Sequence, residues 1–113
     1  MRLSAIFGFL AVALGAFGAH GLKPTLESHG TTAIWQTAAL YHLVHSVVLL
    51  VLAQREAVAR LAFTLFVAGI LIFSGSLYLL AVTGVKWLGA ITPFGGLCLL
   101  AGWLSLAFTR RGR

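Results

Sequence analysis

Aspartate is absent from this chain of 113 residues, and only two acidic residues stand against eight lysines and arginines. Paired carboxylates, a nucleophile–base–orienter set and a phosphate-cradling loop are therefore all missing. Their absence argues against hydrolysis and phosphoryl transfer. Cysteine occurs once, as Cys98, so no intramolecular disulfide can form. Buried in an apolar stretch, that thiol reads as a small packing residue. Proline occurs twice and methionine once. Charge of either sign is scarce, at 9% of residues, while 60% are hydrophobic.

What remains is four long apolar runs, at residues 3–22, 33–53, 61–82 and 88–108. None contains Asp, Glu, Lys or Arg. About 20 apolar residues in an α-helix cross the ~30 Å hydrocarbon core of a bilayer. The runs are continuous rather than alternating, which excludes a transmembrane β-barrel. The expected fold is all-α: one domain, an integral membrane bundle of four transmembrane helices. Short links make sequential helices antiparallel neighbours. The first run also fits a signal peptide loosely, with small residues at 16–19, but it is longer than a usual signal core.

The net charge of +6 would ordinarily suggest nucleic acid. The positions argue otherwise. Arg2, Arg55, Arg60, Arg110, Arg111 and Arg113 flank one set of span ends, and Lys23 and Lys86 flank the other. Positively charged flanks stay on the cytoplasmic side. Both termini are thus expected in the cytoplasm, with the lipid bilayer as partner and no nucleic acid.

Two spans carry small residues in register. Gly8, Ala11, Gly15, Gly18 and Ala19 share a face of the first. Ala101, Ser105 and Thr109 form a shorter seam in the fourth, near Cys98 and Gly102. Small residues let helix backbones approach closely where the hydrophobic effect no longer drives association. The glycines at 15, 18 and 21 come after no strand and are not a nucleotide fingerprint. Pro24 discourages the first helix from continuing, and Thr31 or Thr32 is a candidate cap for the second. Pro93, Gly95 and Gly96 predict a helix break inside the fourth span. Alternatively, the helix proper starts at Pro93 with Thr92 as its cap, and residues 86–92 form a short interfacial turn.

Histidine is the only ionisable residue type within the spans except for the two tyrosines and the thiol. His42 and His45 lie three apart near the middle of the second helix, with Trp35 on the same face. A polar ring at the bilayer centre must face protein or a wet cavity. At 1.5 Å per residue, His42 lies ~13 Å and Ser74 ~12 Å below the outer ends of their helices. They are level, with Tyr78 and Thr92 one turn further out. A polar cluster of His42, Ser74, Tyr78 and Thr92 is expected in the outer half, with His45 beneath. His20 is the natural third ligand for a His-bound metal or haem, but it lies ~10 Å shallower than His42. No metal or other cofactor is expected.

The segments Gly-Ala-Phe-Gly-Ala-His-Gly-Leu (15–22), Trp-Gln-Thr-Ala (35–38) with Tyr-His-Leu-Val-His (41–45), Phe-Ser-Gly-Ser-Leu-Tyr (73–78) and Ile-Thr-Pro-Phe-Gly-Gly (91–96) resemble one family. It is the small bacterial inner-membrane family of YgdD and YwdK type, domain of unknown function number 423. The resemblance covers nearly the whole chain. It implies a four-span protein of the bacterial inner (plasma) membrane and no established activity, so it assigns no catalytic residue. It adds Tyr41, Gly75 and Ser76 to the residues of interest.

The expected function is that of a small, non-enzymatic membrane protein. It would bind a small apolar or amphipathic ligand, a lipid or a protein partner through the outer-half cluster, or act as an accessory subunit. Four helices enclose little lumen, so a homo-oligomer or a larger membrane complex fits the architecture. A small transporter or channel lined by His42 and His45 is the first alternative. A His-ligated metal or haem protein is the second.

Overall fold

A computed structural model describes residues 2–54 and 60–108. Four helices in it are long and apolar enough to cross a membrane: Arg2–Ala19, Thr32–Ala53, Arg60–Thr83 and Lys86–Ala107. The first is α1 (Arg2–Ala19) and the second α3 (Thr32–Ala53). The third is composite. Helix α4 (Arg60–Gly69) passes through a wide π turn, Ile70–Ser74, into α5 (Gly75–Thr83). The fourth opens with a 3₁₀ turn, Lys86–Ala90, and continues as α6 (Thr92–Ala107). No strand occurs among the described residues. Arg55, Arg110, Arg111, Arg113 and Thr109 lie outside them.

Residues 23–29, expected in a loop, form a short helix, α2 (Lys23–His29). Pro24 occupies its first turn, where the missing N–H would have had no partner anyway. Helix α1 stops at Ala19, ahead of Pro24, and a turn over residues 20–22 leads into the new helix that Pro24 helps to start. Gly30 ends α2 at φ 67°, a left-handed conformation open to glycine without a Cβ penalty. Leu26, 1% exposed, pins α2 down in a small apolar cluster with Trp35 and Ala81. Thr31 does precede α3, but its hydroxyl caps nothing. It donates instead to the Ala81 carbonyl at 2.6 Å, tying the link between α2 and α3 to the third span.

The bundle is flattened, with Cα extents of 49 × 26 × 15 Å. Helix α1 packs along α3, α3 along the π turn and α5, and α4 with the π turn along α6. Among the described residues, α1 and α6 form no packing seam. Burial mirrors that order: 33% and 39% of the two central spans are buried, against 22% and 17% of the two at the edges.

Small residues set the close approaches. Gly8 and Gly15 face Ser46 and Ala39 across the α1–α3 seam, where an added Cβ would sit at 4.0 and 3.9 Å. Gly18 lies directly under the Trp35 indole, and any side chain there would collide with it. On the far side, Gly69 receives Leu99 and Gly102 receives Phe66. Phe7, Leu49, Leu52, Ala62, Phe66, Ile70 and Leu99 make the main apolar core.

The fourth span realises the alternative reading of its proline. The interruption falls at Ile91, between the 3₁₀ turn and α6. Pro93 sits in the first turn of α6, and Gly95 and Gly96 lie within regular helix, so no break occurs at those three residues. Thr92 does not cap α6 with its side chain.

A candidate site on the third span

His42 and His45 both turn inward and are 5% exposed each. Burial in hydrocarbon leaves no water to satisfy an imidazole, so protein groups must do it. They do so separately. His42 Nδ1 lies 2.9 Å from the Tyr78 hydroxyl, with one of the two donating. His45 Nδ1–H donates to the Tyr41 carbonyl at 2.8 Å. Its Nε2 accepts from Trp103 Nε1–H at 3.0 Å. With one nitrogen donating and the other accepting, His45 is held as the neutral Nδ1–H tautomer. Phe66 and Trp103 close around its ring, at centroid distances of 5.5 and 5.9 Å.

The expected level pairing of His42 with Ser74 does not occur as a hydrogen bond. Ser74 donates to the Ala38 carbonyl at 2.8 Å, one turn away along α3. Axial rise sets His42 level with Ser74, but this bond joins Ser74 to the turn of α3 that precedes His42. Side chains, however, lean toward the N-terminus of their own helix. His42 on α3 therefore leans outward, while Tyr78 on the antiparallel α5 leans inward. The two tips meet although their Cα atoms differ in depth.

The remaining polar groups of the third span face different neighbours. A π turn inserts one extra residue and so rotates the next stretch of helix about its axis. Ser74 faces α3, whereas Ser76, two residues later, faces α6 and meets the Thr92 hydroxyl at 2.6 Å. Thr92, 9% exposed, is thus joined to the third span rather than to His42. Trp35 is anchored by Nε1–H to the Leu14 carbonyl at 2.9 Å and leans on Tyr78, ring centroids 4.6 Å apart. His20 is exposed in the turn after α1 and makes none of these contacts. Among the described residues, no group of three His, Cys, Asp or Glu side chains converges as a metal site.

Two partners escaped sequence reasoning. Trp103, 46% exposed, reads as a lipid-facing aromatic. Its inward-pointing N–H was detectable only from helix rotation. Ser76 was visible as a motif residue, but its pairing with Thr92 was not.

Tyr78 and His42 line an open groove of about 180 Å³ between α1 and the third span, with Phe7, Leu10, Leu14, Ile70, Leu71 and Gly75. Leu14, Leu71, Gly75 and Tyr78 also line a neighbouring depression of about 460 Å³, where Ser76, Leu88 and Ile91 join them. Sharing those four residues, the two adjoin as an apolar trough along the α5 part of the third span. A Cβ built on Gly75 meets nothing within 4 Å, so that glycine opens onto the trough. His45 lines neither part.

Four antiparallel apolar helices with inward polar groups define a multi-pass helical membrane protein. The family model "Protein of unknown function (DUF423)" matches residues 14–96. The chain belongs to that family. It is 42% identical to the UPF0382 membrane protein YwdK of Bacillus subtilis (strain 168), covering 92% of this chain and 89% of the relative. It is 42% identical to a UPF0382 membrane protein of Haemophilus influenzae, covering 96% and 90%. A Staphylococcus epidermidis relative is 44% identical over 92% and 88%. No solved structure matches the chain.

Proposed function

We propose that this is a non-enzymatic membrane protein that takes up an amphipathic ligand sideways from the bilayer. The ligand has an apolar body and one hydrogen-bonding group. The observation that carries this reading is the trough itself: an apolar channel in the outer half of the span whose lining includes the hydrogen-bonded His42–Tyr78 pair. Ligand sites are concave and mostly apolar, with a few convergent polar groups that orient the guest. A hydroxyl or carbonyl on the ligand would insert into, or add to, the His42–Tyr78 hydrogen bond. The membrane is that of a bacterium, with both termini on the cytoplasmic side, as the arginine-rich flanks favour.

Transport along a histidine path is disfavoured by the pairing of His45. Both its nitrogens are engaged by Tyr41 and Trp103, and it lines neither part of the trough.

A diazirine-bearing long-chain alcohol in nanodiscs tests the reading. Labelling should concentrate on Leu14, Leu71 and the Gly75 turn, and Gly75→Leu should lower it at least about fivefold, as steric filling of a pocket does. Labelling spread evenly over outward residues such as Leu40 and Leu97, or unchanged in Gly75→Leu, would refute the proposal.

A further inference from the structure

A second cavity, about 340 Å³, lies between α1, α2 and α3 and is separate from the trough. Gly15, Gly18, Ala39 and Trp35 line its apolar part, and Lys23 and Glu27 also border it. The glycines of α1 leave room there, and Trp35, held by its bond to Leu14, forms one wall. Its volume falls within the ~300–1,000 Å³ typical of small-molecule sites. Helix α2 starts where the first span ends, which puts Lys23 and Glu27 at the membrane–water boundary. They stand at i and i+4 on one face of α2, yet among the described residues no ion pair engages either.

We infer that this cavity is a binding site for a zwitterionic phospholipid with a primary ammonium, of the phosphatidylethanolamine kind. Lys23 takes the phosphate, and Glu27 accepts hydrogen bonds from the ammonium. The start of an acyl chain enters against Trp35 and the small residues. An unpaired cation and carboxylate side by side above an apolar cavity match a phosphate and an ammonium joined by a short link above a hydrocarbon tail. An anionic lipid would leave Glu27 repelled. A quaternary ammonium would offer its carboxylate no N–H. This site stands apart from the trough, and neither proposal depends on the other.

Native mass spectrometry of the full chain, equilibrated with equal amounts of phosphatidylethanolamine, phosphatidylglycerol and phosphatidylcholine, is the test. The ethanolamine lipid should be retained preferentially. Glu27→Gln should reduce that preference about three- to fivefold, the most an exposed charge pair gives. Lys23→Gln should lower phospholipid retention by a similar factor, with the melting temperature unchanged in both variants. Ala39→Leu, which fills the cavity from its half-buried wall, should reduce retention in a background where both charges remain. Equal retention of the three lipids, or a preference for phosphatidylglycerol that Lys23→Gln alone removes, would overturn the assignment. So would displacement of the lipid by soluble glycerophosphoethanolamine, which lacks the acyl chain.

Discussion

Gly95 and Gly96 are adjacent, identical in type and in the same helix, yet they should respond oppositely to one methyl group. A Cβ on Gly95 would sit 2.7 Å from Phe73 Cα and 2.8 Å from Phe73 Cβ, against the backbone of the π turn. Backbone cannot rotate away as a side-chain tip can. Ordinary carbon contacts are ~3.5–4.0 Å, so α6 would have to withdraw by about 1 Å. Overpacking of that kind costs about 1–3 kcal/mol. The same withdrawal stretches the Ser76–Thr92 bond, now 2.6 Å, beyond hydrogen-bonding range. Losing it adds about 1 kcal/mol. The better helix propensity of alanine returns at most about 1 kcal/mol. Gly95→Ala should therefore destabilise by about 1–3 kcal/mol. At Gly96 the nearest atoms to an added Cβ are Phe73 ring carbons at 3.8 and 3.9 Å, which is ordinary contact. Gly96→Ala should be neutral, or stabilising by up to about 1 kcal/mol. Unfolding in a denaturing-detergent titration from micelles separates the two. Equal stabilities would mean that α6 does not lie against the π turn, and the packing of the third and fourth spans would be wrong.

The polar pairs and the outer loop have consequences of their own. Trp103→Phe keeps an aromatic ring, though a smaller one, and removes the donor to His45; it should lower stability by at least about 0.5–1.5 kcal/mol in the same titration, near the range seen for hydrogen bonds within membranes. A double-mutant cycle on His42→Ala and Tyr78→Phe should give a coupling of about 0.6–1.7 kcal/mol; additivity would deny the bond. Thr31→Val should cost about 1 kcal/mol and raise hydrogen exchange in α2, because Thr31 links that loop to Ala81. In a Cys98→Ser background, Ser28→Cys on exposed α2 should react with a membrane-impermeant maleimide added outside intact cells, which checks the orientation.

The spans were legible because the bilayer imposes a length and a solvent that any uncharged 20-residue run answers. The inward turn of His42 and His45 was legible for the same reason, since an imidazole has no partner among acyl chains. Partner identity was not. Axial rise set His42 level with Ser74, but Ser74 bonds the Ala38 carbonyl one turn away, and it is Tyr78 that reaches His42. The π turn between Gly69 and Gly75 carries no periodicity of its own, so the face that Ser76 turns to Thr92 was not legible. Pro24 read as an interruption and Pro93 as either a break or a helix start, because proline marks both with the same letter; the structure has a helix start at each. Leu26 is the one buried residue that makes α2 a docked helix, too little for a hydropathy pattern to register.

Hydrocarbon, not water, must fill the trough over Tyr78 if a ligand enters it from the bilayer. A nitroxide on Gly75→Cys, in a Cys98→Ser background in lipid bilayers, tests that most directly by its collision rates with oxygen and with a water-soluble nickel chelate. High oxygen and negligible nickel accessibility are predicted, because the site opens sideways to acyl chains. Strong nickel accessibility would instead mean an aqueous path through the helices, and shielding from both reagents would mean that no trough exists.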